Sequence, residues 1–350
     1  MAGAPAIPAG YRALGRSGLV LSELGIGAST FGRSGMRAVD PDRVKAIVDR
    51  AIDLGVTYFD LAEGYGDRTG LSEELFARAV GSRRESVVIG TKFGRSLLAD
   101  RGPSYALTGS RKYIVGSVED SLRRLNTDYI DLYQIHFPDA HTPIEETLAA
   151  LDDLVTSGKV RYIGASNFKA WQIADAEHVA ARNGFTRFVS TTDEYNLTWR
   201  KPEEELIPAL RHYGLGFIPY FPLQNGLLTG KYRQGHAPAE AKITNLKRYL
   251  LGSAPWEALA RYEKFAAERG VTPTALALGW LLAQPTVTSV IAGVTVPGQL
   301  DENLAASRWT PTPEEERELR GFFTGDLSGG PGVVDTGDDE GDGEGPDAKA

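Results

Sequence analysis

Apolar positions follow two alternating rhythms along this chain, short unbroken runs and longer stretches in which they recur at helical spacing, with a glycine closing several of the latter. YRALGRSGLVLSEL reads as two short strands about Ser17-Gly18, a hairpin ahead of the main fold. LGIG, 24 to 27, is the first buried strand. Asp40 and Pro41 open a helix that carries Val44, Ile47, Val48 and Ala51 on one face and stops at Gly55. A strand at 57 to 60, a helix at 72 to 80 and a strand at 87 to 91 follow. The stretch from 93 to 109, with Gly102-Pro103, is irregular and long enough to cover a site. The helix from Ser110 buries Ile114, Val118, Leu122 and Leu125, and YIDLYQIH returns as a strand. Pro143 opens a helix with Ile144, Leu148, Leu151 and Val155 on one face, closed by Gly158. VRYIGAS, a helix at 170 to 181, RFVSTTDE, a helix at 203 to 213 and FIPYF repeat the unit. After an excursion at 222 to 255 and helices near 256 to 269 and 273 to 283, SVIAG and a helix at 299 to 306 complete eight strand-helix units.

Glycine stands between helix and buried strand at Gly55, Gly158, Gly184 and Gly214, as the return turn of a parallel sheet requires. Eight such units in about 300 residues predict an α/β fold, a closed (β/α)8 TIM barrel, rather than an open doubly wound sheet. The open sheet would want a GxGxxG turn after its first strand, and Gly25, Gly27 and Gly32 in LGIGASTFG have the wrong spacing.

Composition changes this picture at one end. The last 25 residues, 326 to 350, carry a charge of −7, so nearly all of the net −8 lies there and the remainder of the chain carries −1. That tail is rich in glycine and acid with almost nothing to bury, and is expected to be disordered. The expected division is a barrel over 1–324 and a tail over 325–350. A nearly neutral body argues against a nucleic-acid surface. The absence of cysteine removes thiolate metal sites and thiol nucleophiles, and with five histidines no metal site is expected. No export or membrane-spanning segment is apparent, so the expected address is cytoplasmic. The oligomeric state is left open.

Four ionisable side chains fall where strands run out: Asp60 and Tyr65 in TYFDLAEGYG, Lys92 in VVIGTKF, and His136 in IDLYQIHFPD. In a barrel of parallel strands that rim is where catalytic groups converge. A nearby lysine cation would lower the tyrosine's pKa, Asp60 would hold Lys92 charged, and His136 would position a carbonyl oxygen or relay its proton. The set is a proton donor without a strong nucleophile. It therefore needs a hydride from elsewhere, which points to a nicotinamide cofactor.

These segments, with GKVRYIGASNF, YNLTWR, FPLQNGLLTGKY and VIAGVTVPGQLDEN, resemble the aldo-keto reductase family over about 300 residues. The resemblance implies the same barrel with a hairpin across its bottom, and a catalytic tetrad of Asp60, Tyr65, Lys92 and His136. It also implies a site for NADP(H). Ser166 and Asn167 would hold the carboxamide, Tyr220 would stack on the nicotinamide ring, and Phe221, Leu223, Gly226, Leu227 and Lys231 would follow the diphosphate. Gly293, Thr295, Gln299, Glu302 and Asn303 would surround the adenosine end.

Two positions depart from the family pattern. Thr192 stands where a glutamine usually completes the carboxamide grip, which would leave that grip looser. Gly293 and Gln299 stand where some members carry Lys and Arg, so the 2′-phosphate must find its charge elsewhere, on Lys231 and Lys242 or, less directly, Arg248. The expected activity is reduction of an aldehyde or ketone, with the substrate pocket drawn from Phe31, 93 to 109, Phe137, Trp199 and 222 to 249. Two rivals are a barrel lyase using Lys92 as a Schiff base and a cofactor-binding, redox-sensing regulatory subunit with slow turnover.

Overall fold

The computed structural model describes residues 7–95, 98, 101–238, 243–244 and 247–328. Strands β1 (Tyr11–Ala13) and β2 (Val20–Ser22) pair antiparallel as the expected hairpin. Eight parallel strands follow: β3 (Leu24–Gly27), β4 (Tyr58–Asp60), β5 (Val88–Phe93), β6 (Ile130–Ile135), β7 (Val160–Ser166), β8 (Phe188–Thr192), β9 (Gly216–Phe217) and β10 (Val290–Gly293). They pair in chain order, with β10 returning to lie beside β3. The ring closes on its last side between β9 and the approach to β10, where Phe217 bridges Val287, Thr288 donates to the Phe217 carbonyl at 2.8 Å and Ile291 to that of Pro219 at 3.1 Å. The fold is the expected (β/α)8 barrel.

Helices α1 (Pro41–Asp53), α2 (Leu71–Val80), α3 (Arg111–Leu125), α4 (Ile144–Thr156), α5 (Ala170–Asn183) and α6 (Leu206–Tyr213) each lead to the next strand. The short α7 (Tyr249–Gly252), α8 (Trp256–Glu268) and α9 (Pro273–Leu282) precede β10, and α10 (Pro297–Ala306) and α11 (Pro313–Phe322) follow it. The side chain of Asp40 caps α1 by accepting from the Asp42 amide, as the sequence suggested. Gly55, Gly158, Gly184 and Gly214 all adopt left-handed φ, between 71° and 77°, at the return turns. None of the helices among the described residues is long and apolar enough to cross a membrane.

The bottom of the barrel is sealed. Leu14, Leu19 and Leu21 of the hairpin cluster with Tyr58, Leu132 and Ile291 of the barrel strands and with Ile218, just past β9. Arg16 donates its amide to the Gly214 carbonyl, and Arg12 donates to the Val287 carbonyl. Above this plug the Tyr58 ring lies between two bare backbones. A Cβ on Gly90 would come within 2.6 Å of the Tyr58 hydroxyl, and one on Gly25 within 2.7 Å of its ring.

Three elements differ from expectation. The run FIPYF supplies only Phe217 to the short strand Gly216–Phe217; beyond it Ile218 and Tyr220 still donate to the Thr191 and Asp193 carbonyls, but Pro219 has no amide to continue the ladder, and the chain turns away from Phe221 onward, where Phe221, Gln224 and Asn225 take left-handed φ. The helix α11 was not foreseen, although Thr312 and Glu315 form a capping box ahead of Pro313. The expected tail begins too early. Arg200 donates its amide to the Gly325 carbonyl at 2.7 Å, Asp326 bridges Trp199, and Leu327 donates its amide to Thr198 at 2.7 Å. Residues 329–350 lie outside the described residues.

Candidate active site

Parallel pairing brings the ends of the strands level, with Asp60 beside Gly90 and Lys92 beside Gln134. Asp60 is the last residue of β4, Lys92 the last but one of β5, and His136 follows β6, where its amide donates to the Phe93 carbonyl at 2.7 Å. Both Asp60 and Lys92 are buried. The Lys92 ammonium bonds the Asp60 carboxylate and the Leu61 carbonyl, the latter at 3.3 Å. It lies 5.4 Å from the centre of the Tyr65 ring, and that ring meets the His136 imidazole edge to face at 5.8 Å. The four groups therefore form one constellation.

Its electrostatics correct the expectation that Lys92 lowers the tyrosine. Burial, and then the Asp60 carboxylate, push the Tyr65 pKa well above its ordinary value, and Arg95 opposes them. Tyr65 is thus held protonated at neutral pH, the state of a donor. Burial lowers Lys92 and raises Asp60, and each partner opposes the change in the other, so the pair is best described as an internal salt bridge. Burial, followed by the Lys92 and Arg95 cations, drives His136 well below its usual range. Its imidazole is neutral, and its buried Nδ1 finds no hydrogen-bond partner among the described residues.

The constellation lines a cavity of ≈ 1190 Å³ whose wall also includes Ser166, Asn167, Thr192, Tyr220, Phe221, Leu223, Gly226, Lys231, Gly293, Thr295, Gln299, Glu302 and Asn303. The wall is internally braced. Ser166 donates to the Thr192 carbonyl at 2.7 Å, while the Asn167 amide donates to the His136 carbonyl at 2.9 Å and accepts from the Tyr220 hydroxyl at 2.8 Å. Asn167 holds a φ of 60°, a backbone uncommon for a residue other than glycine. Gln299 is engaged by its own helix start, accepting from the amide and hydroxyl of Thr295 at 2.8 and 3.1 Å. The Lys231 ammonium lies over Gly226, where a Cβ would come within 3.0 Å of it.

Some expected site residues lie elsewhere. The Leu227 side chain is in the core, and Lys242 lies outside the described residues. Phe31 is buried in the core and Trp199 pairs with Asn196 and Asp326, so neither forms part of the cavity wall. Arg248 is likewise absent from that wall. Thr192 is on it, but its hydroxyl donates inward to Gln134 at 2.7 Å, so it has no proton left to give a ligand.

Sequence reasoning also passed over several groups. Lys247 reaches the wall and lies 4.2 Å from the centre of the Phe221 ring, its pKa lowered to about 8 by burial and then Arg33, against Glu194. Arg33 and Arg95 line the cavity too, the latter signalled only by a cation three residues past Lys92 in TKFGR. Asp193, an acid in a run that should be apolar, is buried and pushed up to about 7 by that burial, with Thr191 and Asn167 as hydrogen-bond partners opposing. Glu63 anchors the loop that carries Tyr65. Its carboxyl accepts from the amides of Gly94 and Arg95 at 2.8 and 3.3 Å and from the hydroxyls of Tyr113 and Ser117 at 2.8 and 2.6 Å.

Comparison with known proteins agrees with this architecture. Residues 23–321 match the Aldo/keto reductase family. The chain is 38% identical to a probable voltage-gated potassium channel subunit beta of Oryza sativa, over 87% of this chain and 93% of that one. It is 36% identical to an uncharacterized oxidoreductase of Bacillus subtilis (90% and 96% covered) and 35% identical to the L-glyceraldehyde 3-phosphate reductase of Escherichia coli (85% and 87%). The chain belongs to the aldo/keto reductase family of oxidoreductases.

Proposed function

We propose that the protein reduces an aldehyde or ketone to an alcohol at the expense of NADPH, with Tyr65 as proton donor. The observation that carries this reading is the meeting of Tyr65, the Lys92–Asp60 pair and neutral His136 on the wall of one large cavity. The wall suits a nicotinamide dinucleotide: an aromatic face at Tyr220, polar groups at Ser166 and Asn167, cations at Lys231 and Lys247, and polar Glu302 and Asn303 at the α10 end. When bound, that cofactor supplies the hydride that the side chains lack.

The chain's own groups do the rest. His136, uncharged, orients the carbonyl oxygen by hydrogen bonding. Tyr65 gives that oxygen its phenolic proton, and the positive end of the Lys92–Asp60 pair stabilises the phenolate left behind. Solvent then restores the proton. The Lys92 hydrogen bonds to Asp60 and Leu61 favour a cation over the free amine that a Schiff-base lyase would need.

Lys231 is the described cation to which we assign the 2′-phosphate, with Lys242 as its companion. Incubation with NADPH or NADH and a panel of carbonyl compounds tests the whole reading. Replacing both lysines by alanine should raise the NADPH KM by about tenfold or more and leave NADH kinetics nearly unchanged, as loss of charge-assisted hydrogen bonds implies. Wild-type indifference to the phosphate would remove the NADP assignment. A second reading, a regulatory subunit that binds cofactor and turns over slowly, draws on the relatives named as potassium channel subunit beta. Tight NADPH binding with negligible turnover across the panel would favour it.

A further inference from the structure

We infer that the carbonyl compounds this site prefers carry an anionic group, a carboxylate or phosphate a few atoms from the carbonyl, and that Arg95 selects them. The inference rests on carbonyl reduction at Tyr65. Arg95 follows β5 directly, three residues past Lys92, and its amide is tied to Glu63, the same carboxyl that anchors the Tyr65 loop. Its backbone is therefore fixed relative to the reacting groups.

The side chain reaches back toward them. The guanidinium lies 5.9 Å from the centre of the Phe137 ring. Phe137 stacks on His136 at 4.7 Å with 7° between the planes, and His136 in turn meets Tyr65. Arg95 thus stands one aromatic ring away from the imidazole that would hold the carbonyl. Its charge also reaches both rings, opposing the rise that burial causes at Tyr65 and adding to the fall that burial causes at His136.

The charge balance of the cavity points the same way. Among the described residues its wall includes Arg33, Arg37, Lys92, Arg95, Lys231 and Lys247, but only Asp60 and Glu302 as acids, and Asp60 is engaged by Lys92. The chain outside the tail is nearly neutral, so this excess is local. A neutral substrate would gain only single-charge hydrogen bonds from a guanidinium in the wall, whereas a carboxylate or phosphate would meet a planar, permanently charged fork with the stronger, paired bonds of two opposite charges. Lys231 and Lys247 come from the excursion after β9, while the ring contacts of Arg95 assign it to the Tyr65 end.

The test compares matched acids and esters. Calorimetry with the full chain would measure 4-(hydroxymethyl)benzoate against its methyl ester, a pair that needs no turnover. Kinetics would compare 4-formylbenzoate with methyl 4-formylbenzoate, and 4-formylphenyl phosphate would distinguish a phosphate from a carboxylate preference. The acid should bind about tenfold or more tightly than the ester, in line with a charge-assisted pair. Arg95→Gln should bring that ratio near one, and Arg95→Lys should restore part of it. Equal binding of acid and ester by the wild type, or a ratio unchanged in Arg95→Gln, would overturn the inference. A preserved binding ratio without reduction of any aldehyde would instead sink the proposed activity and leave the anion preference standing.

Discussion

Two buried polar clusters stand side by side at the ends of β4 and β5, and they differ in what they leave unmet. Around Glu63, both carboxyl oxygens are engaged by amides and hydroxyls from the loop after β5 and from α3. Three residues earlier, at Asp60, the network opens toward the cavity, and His136 holds a buried nitrogen that has no partner among the described residues. A satisfied cluster fixes backbone, because each donor loses more by leaving than it could regain. An incompletely satisfied one retains bonding capacity for something that arrives from outside. The contrast separates scaffold from chemistry within a few residues of one loop.

The sharpest way to break that contrast is at Tyr65. Tyr65→Phe should lower kcat by roughly 10² to 10⁴, the usual worth of a positioned proton donor, while urea unfolding and NADPH affinity stay near wild type. Retained kcat would remove Tyr65 from the chemistry. Glu63→Ala should do the reverse in kind, lowering the unfolding free energy by stranding buried neutral donors, at about 1 to 3 kcal/mol for each one left unsatisfied. The expected signature is a lower urea midpoint first, with kcat reduced only through a displaced loop. Unchanged stability would mean that the Glu63 cluster is not scaffold.

Asp193 tests the intermediate case, a buried acid with too few donors. Its ordinary pKa of 3.8 rises to about 7 in the folded chain, so between those values the native state keeps a proton that the unfolded state has lost. Stability from this group is therefore complete below pH ~4 and declines as pH rises through 7, by a few kcal/mol on linkage arithmetic. Asp193→Asn, which cannot titrate, should gain on the wild type in urea unfolding between pH 5 and pH 8. A difference that does not move with pH would refute this account. The smallest effect is expected at the chain's edge. Ending the chain at Thr324 removes the pairing of 325–328 with Thr198 and Arg200 and should lower Tm by a few degrees, whereas a chain ending at Ser328 keeps it.

Much of this could be read from residue order. Gly55, Gly158, Gly184 and Gly214 marked the return turns because left-handed φ is nearly a glycine property, and that punctuation carried the barrel. Asp60, Lys92 and His136 stood out because strand patterning has no use for a charge at those positions. What escaped was whatever depends on three dimensions. FIPYF reads as a full strand, and its bonding to the neighbouring strand does run to Tyr220, but Pro219 lacks the amide that a regular ladder needs. Thr192 was expected to face a ligand, but Gln134, 58 residues away in sequence, takes its hydroxyl proton. The shift of Tyr65 came out opposite in sign because depth of burial, unknown from sequence, outweighs a neighbouring cation that is already paired. The start of α11 is the exception, since its capping box, Thr312 with Glu315, is local and legible in the sequence.

The hairpin plug has a further consequence, in traffic. A barrel stopped at its floor by Leu14, Leu19 and Leu21 is a cul-de-sac, so whatever reaches Tyr65 comes and goes on the side away from the hairpin. Traffic through the barrel is thereby one-sided, and two ligands that share the cavity have to share that side for entry and departure.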